Sequence, residues 1–142
     1  EEMNVPVAGF KGGDRLTLDL PANQEKLLEE VARAAGGKPV VLVLINGSPL
    51  ALNQAIELVP AIVEAWYPGQ AAGGAIADVL FGDYNPAGRL PVTFYKSVED
   101  LPDFSDYRMR GRTYRYFKKE PLFTFGYGLS YTSFSYSKLS AP

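Results

Sequence analysis

The chain has 142 residues, 46% of them hydrophobic, which suits one domain with a real core. It contains no cysteine and no histidine, which excludes disulfides, thiolate metal sites and a Ser-His-Asp relay, so acid/base chemistry falls to carboxylates, lysine or tyrosine. A net charge of −2 and a pI near 5.2 speak against a nucleic-acid footprint, and no run reaches the roughly 18 to 20 apolar residues of a membrane span.

Residues 1–13 have no sustained period and end in Gly12-Gly13, so they read as a loop. The start, Glu1-Glu2-Met3, is neither an initiator methionine nor a basic and apolar leader, and it reads as a cut or processed boundary. Asp14 to Leu20 alternates polar and apolar residues, as a short extended segment would. Pro21 then opens a helix in which Leu27, Leu28, Val31, Ala34 and Ala35 share one face, and Gly36-Gly37 stops it. Val40 to Ile45 is apolar without alternation, which predicts an inner strand of a parallel sheet covered on both faces. Burying such side chains contributes about 2 kcal/mol each before ordering entropy is subtracted. Ser48 and Pro49 predict the N-cap and first position of a helix over Leu50 to Leu58. Ala61 to Tyr67 reads as a second strand interrupted by Glu64, and Gln70 to Phe81 as a helix stopped by Gly82. The small residues of that helix, Gly73 and Gly74 among them, predict close packing on a sheet that offsets the ~1 kcal/mol cost of a helical glycine. Leu90 to Tyr95 adds one further strand. Beyond it most of the chain's aromatics cluster among Gly, Pro, Ser and Arg with no helical period. The alternation of helices and strands is that of an α/β fold.

Local motifs give mostly structural readings. Gly73-Gly74 lacks the spacing of a dinucleotide fingerprint and any Gly-Lys-Ser/Thr. Asn46-Gly-Ser-Pro49 follows a buried strand, where open α/β sheets place ligands, but Ser48 has no base beside it. The loop from Gly82 through Asn85, Gly88 and Arg89 to Pro91 is built of turn formers and reads as a rigid frame. Phe125 to Tyr131 reads as a structural corner in which glycines let aromatics pack. The basic stretch from Arg108 to Lys119 reads as a solvated charged loop rather than a polyanion site.

Taken in series, WYPGQ, AIADVLFGDYNPAGRLPVTFY, GRTYRYF and PLFTFGYGLSYTSFSYS resemble the C-terminal α/β domain of family 3 β-glucosidases and β-xylosidases. Gly13-Asp-Arg15, the Leu20-Pro…Gln24 helix start and VVLVLINGSPL are similar to earlier elements of that domain. The resemblance covers essentially the whole chain. It departs from the family where Gln54 replaces a frequent tryptophan and Ala71 a frequent glutamate, both at packing or surface positions. The fold it implies is a three-layer α/β sandwich with a mainly parallel sheet, followed by an aromatic-rich irregular C-terminal segment. Residues 1–142 would be a partial C-terminal domain, its first strands and the family's N-terminal barrel lying elsewhere.

The resemblance further implies retaining hydrolysis of terminal β-linked sugars, with an aspartate nucleophile on the barrel. The general acid/base glutamate comes from a loop shortly before the Gly-Asp-Arg element, which here means Glu1 or Glu2, with Glu1 favoured. Met3 takes the place of an aromatic that lines the sugar subsite. At a solvated chain end neither glutamate gains the raised pKa an acid catalyst needs, and the chain alone is expected to be inactive because its nucleophile is absent. No cofactor and no metal are implied. The expected partners are an oligosaccharide or aryl glycoside substrate and the barrel of the same enzyme, not nucleic acid or a membrane. Family resemblance points to a secreted or periplasmic location. The alternative is a non-catalytic carbohydrate-binding or scaffold module whose Tyr107, Tyr114, Tyr116 and Phe117 stack on sugars; a nucleotide-binding domain ranks last for want of a phosphate motif.

Overall fold

A computed structural model describes residues 10–11, 14–103, 105–138 and 140. Two short strands, β1 (Phe10–Lys11) and β2 (Asp14–Arg15), pair antiparallel, so the expected extended run to Leu20 shortens to a two-residue strand. Helix α1 spans Ala22–Ala34 behind Pro21, whose φ of −54° already matches a helix and whose missing N–H goes unneeded there. Strands β3 (Val41–Leu44) and β4 (Ala61–Glu64) pair in parallel, in register from Val41 with Ala61 to Leu44 with Glu64. The crossover between them carries α2 (Asn53–Leu58), which packs on α1. Helix α3 (Ala72–Phe81) ends at Gly82, whose φ of +87° is the left-handed stop that glycine takes without steric cost. A 3-10 turn at Val98–Asp100 and a short helix α4 (Thr113–Tyr116) punctuate the aromatic C-terminal segment. The architecture is α/β with a small parallel sheet.

The core lies where the crossover meets the sheet and the C-terminal segment. Leu28, Leu44, Leu50, Leu52, Ala55, Val59 and Phe94 are its buried members. Phe94 is the most deeply placed, 1% exposed, with Trp66 and Phe123 packed edge-on to it at ring-centroid distances of 6.1 Å. Among the described residues, its backbone closes the one bridge of the expected Leu90–Tyr95 strand, to Phe123.

Several expectations change. The α2 helix starts at Asn53, not Leu50, and Ser48 does not cap it; Leu52 is the N-cap, with no side-chain bond. Leu50, Ala51 and Leu52 run into the core instead, each at most 5% exposed, so burial outweighs the local Ser-Pro helix signal. Strand β4 ends at Glu64 because Trp66 turns into the left-handed region at φ +53°. On α1 only Leu28 is buried, while Leu27 and Val31 stand 63% and 43% exposed. On the β3 segment Val41 and Ile45 are exposed too, so the strand is not covered on both faces. Gly73 and Gly74 face open space rather than a close-packed sheet. The chain exposes 11084 Å², against about 7,200 Å² for a compact monomer of its mass.

Candidate functional site

The parallel pair sends two loops out from its carboxyl end, the position at which open α/β sheets present ligand-binding groups. After β3, the Asn46 side-chain amide donates to the Ser48 carbonyl at 2.5 Å and closes a tight turn. At the end of β4, Glu64 Oε1 accepts the backbone N–H of Trp66 at 3.1 Å and so fixes the residue that carries the unusual φ. The two loops touch at Gly47, where a Cβ would lie 2.5 Å from Cε2 of the Tyr67 ring; only glycine lets the ring sit there. Gly47, Pro49, Trp66, Pro91 and Val92 line an open cleft of about 290 Å³ between them.

This end is poor in donors. Asn46 Oδ1 and Glu64 Oε2 are buried and accept no hydrogen bond among the described residues. Burial pushes the Glu64 carboxyl up from its ordinary value, and the Trp66 N–H opposes that shift less strongly. In the sequence Glu64 shows only as an interruption of the strand expected over Ala61 to Tyr67. The signal available was an acid at the end of an apolar run, the place where strand side chains meet a cleft.

The motifs expected to be frame are frame. Asn85 Oδ1 accepts from Ser130 Oγ and from the Tyr131 N–H, both at 2.9 Å, and its Nδ2 donates to Thr132 at 3.2 Å. Tyr131 Oη donates to the Val79 carbonyl of α3 at 2.7 Å. Backbone bonds of 2.8 Å join Leu90 to Tyr127 and Gly126 to Leu90. At Gly128 a Cβ would lie 2.5 Å from the Gly88 carbonyl oxygen, so the corner needs glycine there. One mortised unit thus joins the 82–91 loop to the 125–132 corner.

The basic stretch spends much of its charge internally. The Arg108 guanidinium grips Asp106 through two 2.8 Å bonds and holds that carboxyl well below the usual carboxylate range. Arg112 donates to the Arg108 and Asp106 carbonyls, and Lys119 pairs with Asp100 at 2.7 Å. Glu1, Glu2 and Met3, the predicted catalytic and subsite residues, lie outside the described residues. Among the described residues no group of three or more acidic side chains could hold a metal ion, and no helix is long and apolar enough to cross a membrane.

Comparison with known proteins agrees with the motif reading. The model of the glycosyl hydrolase family 3 C-terminal domain matches residues 2–131. A xylan 1,4-beta-xylosidase of Xylanibacter ruminicola is 58% identical over 134 residues, which is 94% of this chain and 15% of that protein. A periplasmic beta-glucosidase of Salmonella typhimurium is 44% identical over 146 aligned residues, covering 93% of this chain and 19% of the relative. Among solved structures, the beta-D-glucoside glucohydrolase of Trichoderma reesei superposes with a TM-score of 0.78 at 36% identity, over 92% of this chain and 20% of that one. The chain therefore spans between 15% and 20% of the length of these relatives. With the family model matched over nearly all of its length, the chain belongs to glycoside hydrolase family 3 and corresponds to the family's C-terminal domain.

Proposed function

We propose that the chain is the carboxylate-bearing part of a retaining β-glycosidase that removes terminal β-linked sugars, working with an N-terminal barrel of the same enzyme. The observation that carries the reading is the 58% identity to a xylan 1,4-beta-xylosidase over 134 residues, higher than the 44% to the periplasmic beta-glucosidase. It favours a β-xyloside as substrate. The large exposed surface, with Leu27, Ile45, Phe81 and Leu129 each more than half exposed, suits a chain that packs on further protein.

In the proposed mechanism the barrel's aspartate attacks the anomeric carbon while Glu1, with Glu2 as the second choice, gives its proton to the leaving oxygen. Water then hydrolyses the glycosyl-enzyme as the same glutamate takes the proton back. Retention requires the two carboxyls to stand about 5 to 5.5 Å apart. The acid reaches its raised pKa only when the barrel desolvates it, so the chain alone turns nothing over. Met3 lines the sugar subsite. The name of the Salmonella relative supports a periplasmic or secreted location.

The test is hydrolysis of aryl β-xyloside and aryl β-glucoside by the full-length protein and by this chain alone. Turnover by the full-length protein, faster on the xyloside, with none above a heat-killed control for the chain alone, is the expected result. Hydrolysis by the isolated chain would remove the barrel from the proposal.

A further inference from the structure

The stretch from Asp106 to Lys119 carries a charge that the rest of the chain does not. It holds six of the chain's 14 lysines and arginines and one of its 16 acidic residues, while the whole chain stands at −2. The one acid, Asp106, is taken by Arg108. Arg110, Arg115 and Lys118 are exposed, and among the described residues their side chains have neither a hydrogen bond nor an ion pair. Cations gathered in one loop of an acidic chain set up a local positive field that draws anions and is screened by salt. Aromatic rings stand between them: Tyr107, Tyr114 and Tyr116 are 87%, 59% and 45% exposed.

The loop keeps this surface in place before any ligand arrives. Arg112 turns back and donates to the backbone carbonyls of Arg108 and Asp106. The Tyr95 hydroxyl accepts the backbone N–H of Thr113 at 3.0 Å and pins that residue at φ +59°, a left-handed conformation unusual for threonine. Next to it the Tyr114 ring stacks on Phe125 with centroids 4.6 Å apart, and Phe117 sits edge-on to Tyr95 at 4.8 Å. A surface ordered in advance gives up less entropy when it binds.

From unpaired cations alternating with exposed tyrosines on a braced loop, we propose that this stretch binds an acidic glycan, one whose uronate groups are spaced among neutral sugars. The planar fork of an arginine meets a carboxylate through two parallel bonds, which suits Arg110 and Arg115. The apolar C–H faces of the sugars between the charges lie against the tyrosine rings and leave water there. A nucleic acid fits less well, because its charge is dense and a chain of net −2 repels it outside this loop. This binding goes beyond the hydrolytic function and does not depend on the roles of Glu1 and Glu2.

The experiment is affinity electrophoresis of the full-length protein through gels containing glucuronoxylan, or the same polymer with its carboxyl groups reduced to alcohols. An active site that takes neutral chain ends binds both polymers alike, so the difference between the gels reads the loop alone. The expected result is stronger retention by the acidic polymer, an excess that fades as sodium chloride is raised. The triple variant Arg110→Gln, Arg115→Gln, Lys118→Gln, with its melting temperature unchanged, should bind the acidic polymer about tenfold more weakly, the worth of three solvent-exposed charge contacts. Tyr114→Ala, which keeps every charge, should weaken it as well. Equal retention by the two polymers, undiminished retention of either variant, or displacement by single-stranded DNA at a lower charge concentration than by free glucuronoxylan would each overturn the assignment.

Discussion

Glu64 and Trp66, two residues apart at the end of β4, form a clasp: the carboxylate accepts the tryptophan's backbone N–H at 3.1 Å while the tryptophan turns to φ +53°. The clasp aims the Trp66 ring at Phe94 and so ties the strand end to the most buried residue of the C-terminal segment.

The clasp makes stability depend on pH in a definite direction. Burial raises the Glu64 pKa in the folded state, so the folded protein holds the proton more tightly than the unfolded chain. Its contribution is therefore fully present below the unfolded value, near 4.5, and is lost as pH rises through the folded one. Glu64→Gln keeps an acceptor for Trp66 and carries no charge, so it should melt above the parent at neutral pH and converge with it in acid. Thermal melts followed by emission of Trp66, the only tryptophan, check this. Glu64→Ala removes the acceptor and should cost about 0.5 to 1.5 kcal/mol by that bond alone.

Phe94 should be among the least replaceable side chains. It is 1% exposed and touches Trp66 and Phe123. Phe94→Ala should cost about 3 to 5 kcal/mol and shift Trp66 emission to the red, as denaturant titration with a fluorescence readout would show.

Two glycines with equally short contacts should respond differently to alanine. At Gly128 the new Cβ meets the backbone oxygen of Gly88 at 2.5 Å, which cannot yield without moving the frame. At Gly47 the 2.5 Å neighbour is the Tyr67 ring, which is 75% exposed and free to swing away. Gly128→Ala should cost about 1 to 3 kcal/mol, the range for overpacking, and Gly47→Ala clearly less. Equal losses in paired melts would contradict the frame assignment.

The bond from Tyr131 to Val79 gives a fourth stability test. Tyr131→Phe removes only the hydroxyl and should cost about 0.5 to 1.5 kcal/mol. Asn85→Ala removes bonds to Ser130, Tyr131 and Thr132 together and should cost more. Chemical denaturation of both variants ranks them.

What the sequence disclosed follows physical lines. Strand β3, helix α1 and the Gly82 stop of α3 were legible because an apolar β-branched run, a helical period behind a proline and a glycine free to take positive φ are all local signals, although Leu27, Val31, Val41 and Ile45 stand exposed. The start of α2 was not, since Ser48-Pro49 carries the local signal of a helix while Leu50 to Leu52 are drawn into the core. Pairing lies outside local pattern: nothing near Val41 or Ile45 says how many strands flank them, and both stand exposed. The frame motifs were legible because turn residues announce their geometry. The Glu64–Trp66 clasp was not, because a left-handed tryptophan has no sequence signal. The proposed acid/base residue came from family resemblance alone, since Glu1 and Glu2 differ from other surface carboxylates only in position.

The central claim is that this chain supplies the general acid/base of a retaining β-glycosidase, and azide rescue in the full-length protein tests it most directly. Glu1→Ala should lower turnover of an aryl β-xyloside by about 10² to 10⁴, the usual worth of general acid/base catalysis. Azide, which needs no base to attack the glycosyl-enzyme, should restore it and yield the β-glycosyl azide. Turnover undiminished in both Glu1→Ala and Glu2→Ala, with no glycosyl azide formed, would contradict the account.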